Sequence, residues 1–556
     1  MEKLTTRRGE ALTGTPWTAY PRPQMRREHW WNLNGEWEFG IKFDRRICVP
    51  FCPEAELSGI GEHFPEGSPL RYRKRVTLPS GGGRLLLHFG GADQRAQVYV
   101  NGKLAGEHEG GYAAFTLDVT ELWQAGENEI LVICRDDLTD RSFPYGKQTL
   151  NRGGMWYTPV SGIWQTVWME RVPETHIEKL RIGNRGGSVT IDTGLSLPGT
   201  VTVAGLGVFP LESGKATITP DNPRFWSPED PYLYEFTVEA GEDRVESYFA
   251  LRTLEIKTVG GYPRLCLNGK PYFFHGLLDQ GYWPEGIYTP PAPESYADDI
   301  LAMKKLGFNT LRKHIKVEPE EFYYQCDRLG MVVWQDMVNN SAYSFFRDTS
   351  LPTAGIQRLG DKILHTDPLC RRRFLEGMEG TVRLLGSYPC ICLWTIFNEG
   401  WGQFDSKAVC KRLLELDDTR FVDAVSGWFR QRSDLLDSRH VYFRKVQLRA
   451  DGKKPLILSE FGGKTYQSEG HMFNPDKSYG YGGYRSAEEL NQAVRGLYIQ
   501  EVLPCVERGL CAAIYTQLSD VEDEVNGLVT YDRKIEKMQP ELLRPIARQL
   551  QLAVER

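Results

Sequence analysis

The sequence predicts a three-domain chain. An all-β jelly-roll sandwich covers 1–172, an immunoglobulin-like β-sandwich 173–254, and a (β/α)8 TIM barrel 255–556. Three observations carry this. The first stretch reads as short alternating strands with turn signals and no convincing helix. The second keeps that style in about 80 residues, the size of a small sandwich. From 255 onward strands and helices alternate, the pattern of a parallel barrel. A length of 556 residues suits such a division, at roughly 100–200 residues per domain.

The elements follow in order. Leu85–Phe89, Gln97–Val100 and Asn128–Cys134 are strands, and Asn101-Gly102 is a two-residue hairpin turn. Ser188–Ile191, Thr200–Val203, Lys215–Ile218 and Tyr232–Val238 supply the second sandwich, and the proline-rich stretch 220–231 is a loop. The barrel reads as strand Pro271–His275, helix Tyr296–Leu306, strand Asn309–Arg312, helix Glu320–Leu329 and strand Met331–Gln335. Helix Leu369–Leu385, strand Cys390–Phe397, helix Lys407–Leu416 and strand Phe421–Val425 continue it. Strands His440–Phe443 and Leu456–Leu458, helix Glu489–Val502 and strand Cys511–Tyr515 complete eight strands. A doubly wound open sheet is the alternative, but no dinucleotide fingerprint supports it.

Composition excludes several classes. Lys+Arg is 67 and Asp+Glu is 73, so the net charge is 67 − 73 = −6 and no basic cluster offers a nucleic acid its usual footing. The longest apolar runs, such as Cys390–Phe397, fall far short of the ~18 residues of a membrane span. The charged N-terminus has no apolar stretch behind it. Eleven cysteines, many inside apolar runs, read as reduced core thiols of a cytoplasmic protein. There is no C-x-x-C pair, no H-E-x-x-H and no phosphate-binding glycine loop, so neither a metal nor a cofactor is expected.

The chemistry sits where a barrel places it, at the C-terminal ends of the strands. Strand four ends Trp394-Thr-Ile-Phe-Asn398-Glu399, and strand seven ends Leu458-Ser459-Glu460-Phe461-Gly462. Each closes an apolar run with a carboxylate that the fold itself does not need. One such Glu could cap a strand or pair with an arginine, but two facing one cleft suit cleavage of an acetal. One carboxyl delivers a proton to the leaving oxygen while the other stays ionised beneath the developing cation.

These motifs resemble the acid/base and nucleophile segments of glycoside hydrolase family 2, which includes β-galactosidases, β-glucuronidases and β-mannosidases. Leu33-Asn-Gly-Glu-Trp-Glu-Phe39, Tyr72-Arg73, Ser161-Gly-Ile-Trp-Gln-Thr-Val-Trp168 and Tyr248-Phe-Ala-Leu-Arg252 resemble further family segments, in the family's order. The resemblance implies that Glu399 is the general acid/base and Glu460 the nucleophile. It implies that Asn398 binds the sugar 2-hydroxyl, that Arg312 positions the nucleophile, and that Tyr442 contacts it. His314, Trp334, Asp336 and Trp428 end strands two, three and five and are expected in subsites. Where the family commonly has Gly-Val-Asn-x-His, this chain has Gly276-Leu-Leu-Asp279-Gln280, so Asp279 is expected to receive sugar hydroxyls instead. Met331–Asp336 lacks the Glu-x-His magnesium ligands of some β-galactosidases.

The substrate is expected to be a terminal β-linked sugar. Glucuronidases of the family carry an Asn-x-Lys where this chain has Glu524-Val-Asn526-Gly527, so a carboxylate sugar meets a negative charge. A galactoside is therefore expected first, with arabinopyranosides, mannosides and glucuronides as alternatives. A non-catalytic carbohydrate-binding protein on this architecture would have lost a catalytic Glu, and both are present. An aldolase- or isomerase-like barrel would need a Schiff-base lysine or a metal cluster at strand ends, and neither is found. The tryptophans Trp17, Trp30, Trp31, Trp37, Trp123, Trp226, Trp156, Trp164 and Trp168 read first as packing. The alternative is that jelly-roll loops wall the barrel mouth, giving a pocket for a terminal sugar. A homo-oligomer, dimer or tetramer, is expected.

Overall fold

The computed structural model describes residues 3–357 and 359–556. Alternation of buried and exposed side chains builds the first sandwich, as along Glu127–Arg135. One sheet orders Trp30–Asn32, Val167–Val172, Arg84–Phe89 and Phe115–Asp118. The facing one orders Arg45–Val49, Gly35–Phe39, Leu70–Thr77, Glu127–Arg135, Arg95–Val100 and Lys103–Glu109. Trp37, Val98, Val132 and Met169 fill the space between them. Asn101 and Gly102 turn the last hairpin with φ of 50° and 76°, the left-handed pair that a two-residue turn requires.

The second sandwich packs a three-stranded sheet (Arg181–Arg185, Ser188–Asp192, Lys215–Ile218) on a four-stranded one (Gly207–Pro210, Gly199–Val203, Tyr234–Ala240, Asp243–Phe249). Buried arginines lock the domains together. Arg27 donates to Asp243 at 2.8 Å and to Glu170 at 3.2 Å. Arg252, in the joint to the barrel, donates to the carbonyls of Pro389 and Ile391 at 2.6 and 2.7 Å.

Strands one to eight of the barrel are Phe274–Asp279, Thr310–Lys313, Val332–Asp336, Ile391–Asn398, Phe421–Ser426, Asp437–Val441, Leu456–Gly462 and Leu510–Thr516. All pairings are parallel, and the sheet order is 5-4-3-2-1-8-7-6. No backbone ladder joins strands five and six among the described residues. Side chains cross that seam instead, with the Ser438 hydroxyl donating to Asp423 at 2.7 Å. Helices end where the sequence supplies glycine: Glu294–Leu306 stops at Gly307 (φ 97°) and Glu320–Leu329 at Gly330 (φ 74°). Pro368–Leu385 starts under Asp367, whose carboxylate accepts from the amides of Leu369 and Cys370.

Ahead of the first barrel strand, Leu254–Val259 and Tyr262–Leu267 form an antiparallel ribbon under the barrel, and Arg264 ties the ribbon to Val506 and Leu510 carbonyls. One reading is corrected. Strand one is Phe274–Asp279 and not Pro271–His275. Uniform burial gave that run no alternation from which its register could be read. All eleven cysteines are free, and no described helix is long and apolar enough to cross a membrane.

Candidate active site

Strand four delivers Asn398 and Glu399 to the barrel mouth. Glu399 lies at φ 53°, in the turn that ends the strand. Strand seven delivers Glu460 from its interior. The two differ in access: the Glu399 side chain is 22% exposed and Glu460 only 6%. An imidazole stands between them. His440 Nδ1 is 2.8 Å from Glu399 Oε1 and 3.5 Å from Glu460 Oε2. One oxygen of each carboxylate and the ring nitrogen all lie within 4.8 Å of one another.

Arg312 organises the floor. Its guanidinium, fully buried, donates to Glu460 Oε1 at 3.1 Å, the Ser459 carbonyl at 3.0 Å, Asn398 Oδ1 at 2.8 Å and Asp336 Oδ1 at 2.9 Å. Tyr442, just past strand six, donates to Glu460 Oε2 at 2.5 Å and bonds Thr516 at 2.9 Å. Its ring stacks on Tyr481 at 4.2 Å. Burial alone would push the Glu460 carboxyl up. The His440 ring, the Arg312 guanidinium, His314 and the Tyr442 hydroxyl outweigh it and hold Glu460 below its ordinary value. Burial raises Asp336 too, but Arg312 and His314 outweigh that and lower it.

The structure therefore gathers Glu399, Glu460, Asn398, Arg312, Tyr442 and His314, with half-buried Trp428 at the exit of strand five. Two expected subsite residues lie elsewhere, and a third serves only the floor. Asp279 has the outward parity of strand one, shared with His275, whose ring packs on Phe308 and Tyr498. It pairs with Lys313 at 2.6 Å on the helix side of the barrel. Trp334 is sealed inside the barrel below the carboxylates, its ring against Phe274. Asp336 spends its oxygens on Arg312 and on His314 Nδ1 at 2.8 Å, so it anchors the floor and offers nothing to a ligand.

Other site residues were missed. His440 lies two residues before Tyr442, and shared parity was the signal that could have found it. The jelly roll contributes a wall: Tyr145 donates to the Ser341 carbonyl at 2.8 Å, and Trp156 meets Trp401 at 5.1 Å, two residues beyond Glu399. The Tyr157 hydroxyl bonds Glu524, which also accepts from Gln517 at 3.1 Å. Burial raises Glu524 above its usual value, against the pull of Lys147. Lys147, from the same jelly-roll segment, is half-buried beside Trp156 and near enough to oppose protonation of His314. No local sequence signal could have placed it. Trp37, Trp164 and Trp226 are core, as the packing reading has it. Glu399, His440 and Glu460 are the one donor group able to hold a metal ion among the described residues, and an ion there would tie up both carboxylates.

Paired carboxylates at the ends of strands four and seven of a parallel barrel, behind two β-sandwiches, are the arrangement expected of a multidomain barrel glycoside hydrolase. Family comparison agrees along the chain. The model "Glycosyl hydrolases family 2, TIM barrel domain" matches residues 263–542, "Glycosyl hydrolase 2 galactose-binding domain-like" matches 63–144, and "Glycosyl hydrolases family 2" matches 175–252. The chain belongs to glycoside hydrolase family 2. It is similar to a putative β-glucuronidase of Formosa agariphila, 27% identical over 278 residues, 45% of this chain and 32% of that one. It is similar to a β-galactosidase of Thermoanaerobacter pseudethanolicus, 25% identical over 445 residues, 73% of this chain and 54% of that one. It thus spans about a third and about half of these relatives. The β-D-glucuronidase structure of Dictyoglomus thermophilum superposes with a TM-score of 0.73 at 18% identity, covering 96% of this chain and 98% of that one. That likeness is one of fold.

Proposed function

We propose that the protein is a retaining exo-β-glycosidase in which Glu460 is the nucleophile and Glu399 the acid/base. The observation that supports this is the carboxylate pair, with oxygens inside a 4.8 Å cluster. Retaining enzymes hold their carboxyl groups ~5–5.5 Å apart and inverting ones ~6.5–9.5 Å, to leave room for a water. Exposure supports the roles. Glu399 opens to the side where aglycone leaves and water enters, while Glu460 lies beneath, kept ionised by Arg312 and Tyr442. Arg312 takes the Asn398 carbonyl, which leaves the amide NH2 for a sugar hydroxyl. The Trp156–Trp401 wall suits a pocket for one terminal sugar.

The sugar we propose is a neutral pyranoside, with β-galactosides tested first, because buried Glu524 with Tyr157 and Gln517 makes an uncharged polar sugar the better fit. A β-uronide is the second reading, favoured by Lys147 at the same wall and by the glucuronidase names among the relatives.

The test of the roles is a pair of variants on activated nitrophenyl glycosides. Glu399→Ala should still form the glycosyl-enzyme, and azide should restore turnover with a β-configured glycosyl azide. Glu460→Ala should be inert to that rescue. A β-azide product from Glu460→Ala would reverse the assignment.

A further inference from the structure

The ring of His440 is fully buried, and both its nitrogens are engaged. Nδ1 faces Glu399 Oε1 at 2.8 Å, and Nε2 faces Ser426 Oγ at 3.0 Å. Gly427 makes the position possible, since a Cβ there would lie 2.7 Å from the ring. Behind Nε2 runs a chain of hydroxyls across the seam between strands five and six, where no backbone ladder exists among the described residues. Ser426 donates to Ser459 Oγ at 3.1 Å. Ser459 donates to the Arg439 carbonyl at 3.2 Å, and Ser438 donates to Asp423 Oδ2 at 2.7 Å.

Ser438 and Ser459 also lie 2.6 Å apart, either one able to donate. With the Ser426 proton directed to Ser459, Ser426 accepts from the ring and Nε2 carries the hydrogen; directed to Nε2 instead, it would leave the ring hydrogen on Nδ1. In the first arrangement Nδ1 has a lone pair toward Glu399, and the 2.8 Å contact needs a proton on one partner or the other. We propose that His440 is the positioning residue of the acid/base: with the Ser426 proton directed to Ser459, it holds the Glu399 carboxyl and shares a single proton with it. This rests on the retaining-glycosidase reading. In the first half-reaction that proton passes to the departing aglycone oxygen as Glu460 bonds the anomeric carbon. Glu399 is left as carboxylate beside neutral His440. In the second half-reaction Glu399 takes a proton from the attacking water, Glu460 leaves the anomeric carbon, and the shared proton is restored. The charged groups facing the ring are Glu399 and Glu460 on the cleft side and Asp423 behind, with Arg312 beside Glu460 and Asp423.

A merely structural histidine and a proton-sharing one differ in leaving-group dependence. His440→Gln should lose kcat/KM on an aryl glycoside with a poor leaving group by about tenfold more than on a dinitrophenyl glycoside, which needs no acid. The alkaline limb of its kcat/KM profile should also move. Ser426→Ala keeps the ring and cuts the chain. It should shift the same limb with little effect on the dinitrophenyl substrate, and it decides the matter if His440→Gln fails to fold. Equal losses on both substrates with an unmoved pH profile would overturn the proposal. Failure of the wild type to turn over any β-glycoside would instead overturn the functional reading beneath it.

Discussion

Arg312→Met tests the floor of the site. The substitution keeps the side chain's bulk and removes its charge. At 3.1 Å from Glu460 Oε1 the pair attraction is about 5 kcal/mol at an effective dielectric of about 20. Asp336 stands at 2.9 Å on the other side. Removing the cation leaves two carboxylates in a fully buried site, with His314, His440 and Tyr442 as remaining support. Breaking a buried pair from one side typically costs about 3–5 kcal/mol. The sign with pH follows from both carboxyls being lowered in the native protein. Their stabilisation is present above the unfolded carboxylate value and lost as pH falls through the lower folded one. In the variant that stabilisation is gone and both carboxyls move up. Thermal melts should therefore show the largest wild-type advantage near pH 7.5 and a shrinking one toward about pH 4, where protonation relieves the unpaired charges. The acid limb of kcat/KM should move to higher pH by at least about one unit, since 1.36 kcal/mol corresponds to one unit. A stability loss equal at every pH, with the acid limb unmoved, would show that Arg312 acts by packing and refute the electrostatic account.

Turnover of a nitrophenyl β-galactoside should exceed that of the β-glucuronide, and Lys147→Ala should leave the galactoside within a few-fold of wild type. A glucuronide preference whose KM rises in Lys147→Ala would establish the uronide reading instead. EDTA should leave activity intact, while added zinc should inhibit by occupying the Glu399–His440–Glu460 group. Loss of activity in EDTA that returns with a divalent ion would overturn this.

The sequence by itself determined the three-part architecture and singled out the carboxylate pair. Hydrophobic period separates sandwich from barrel, Asn101-Gly102 fixes a hairpin locally, and a glutamate ending a buried strand is visible without coordinates. Asn398 was legible because it directly precedes such a glutamate, while Arg312 and Tyr442 were legible only through the resemblance of their segments to the family. What the strands face was not legible. Asp279 and Trp334 sit in runs buried on both faces, where composition carries no alternation, so only the folded barrel shows that one points to the helices and the other into the core. Asp336 looked like a ligand because its partner Arg312 is 24 residues away in sequence. The wall of Tyr145, Lys147, Trp156 and Tyr157 meets a mouth formed some 200 to 370 residues later, and such contacts are fixed by domain docking alone. His440 joins both cases. Its place next to Tyr442 was printed in the chain, but its role depends on a seam between strands five and six that exists only once the barrel has closed around it.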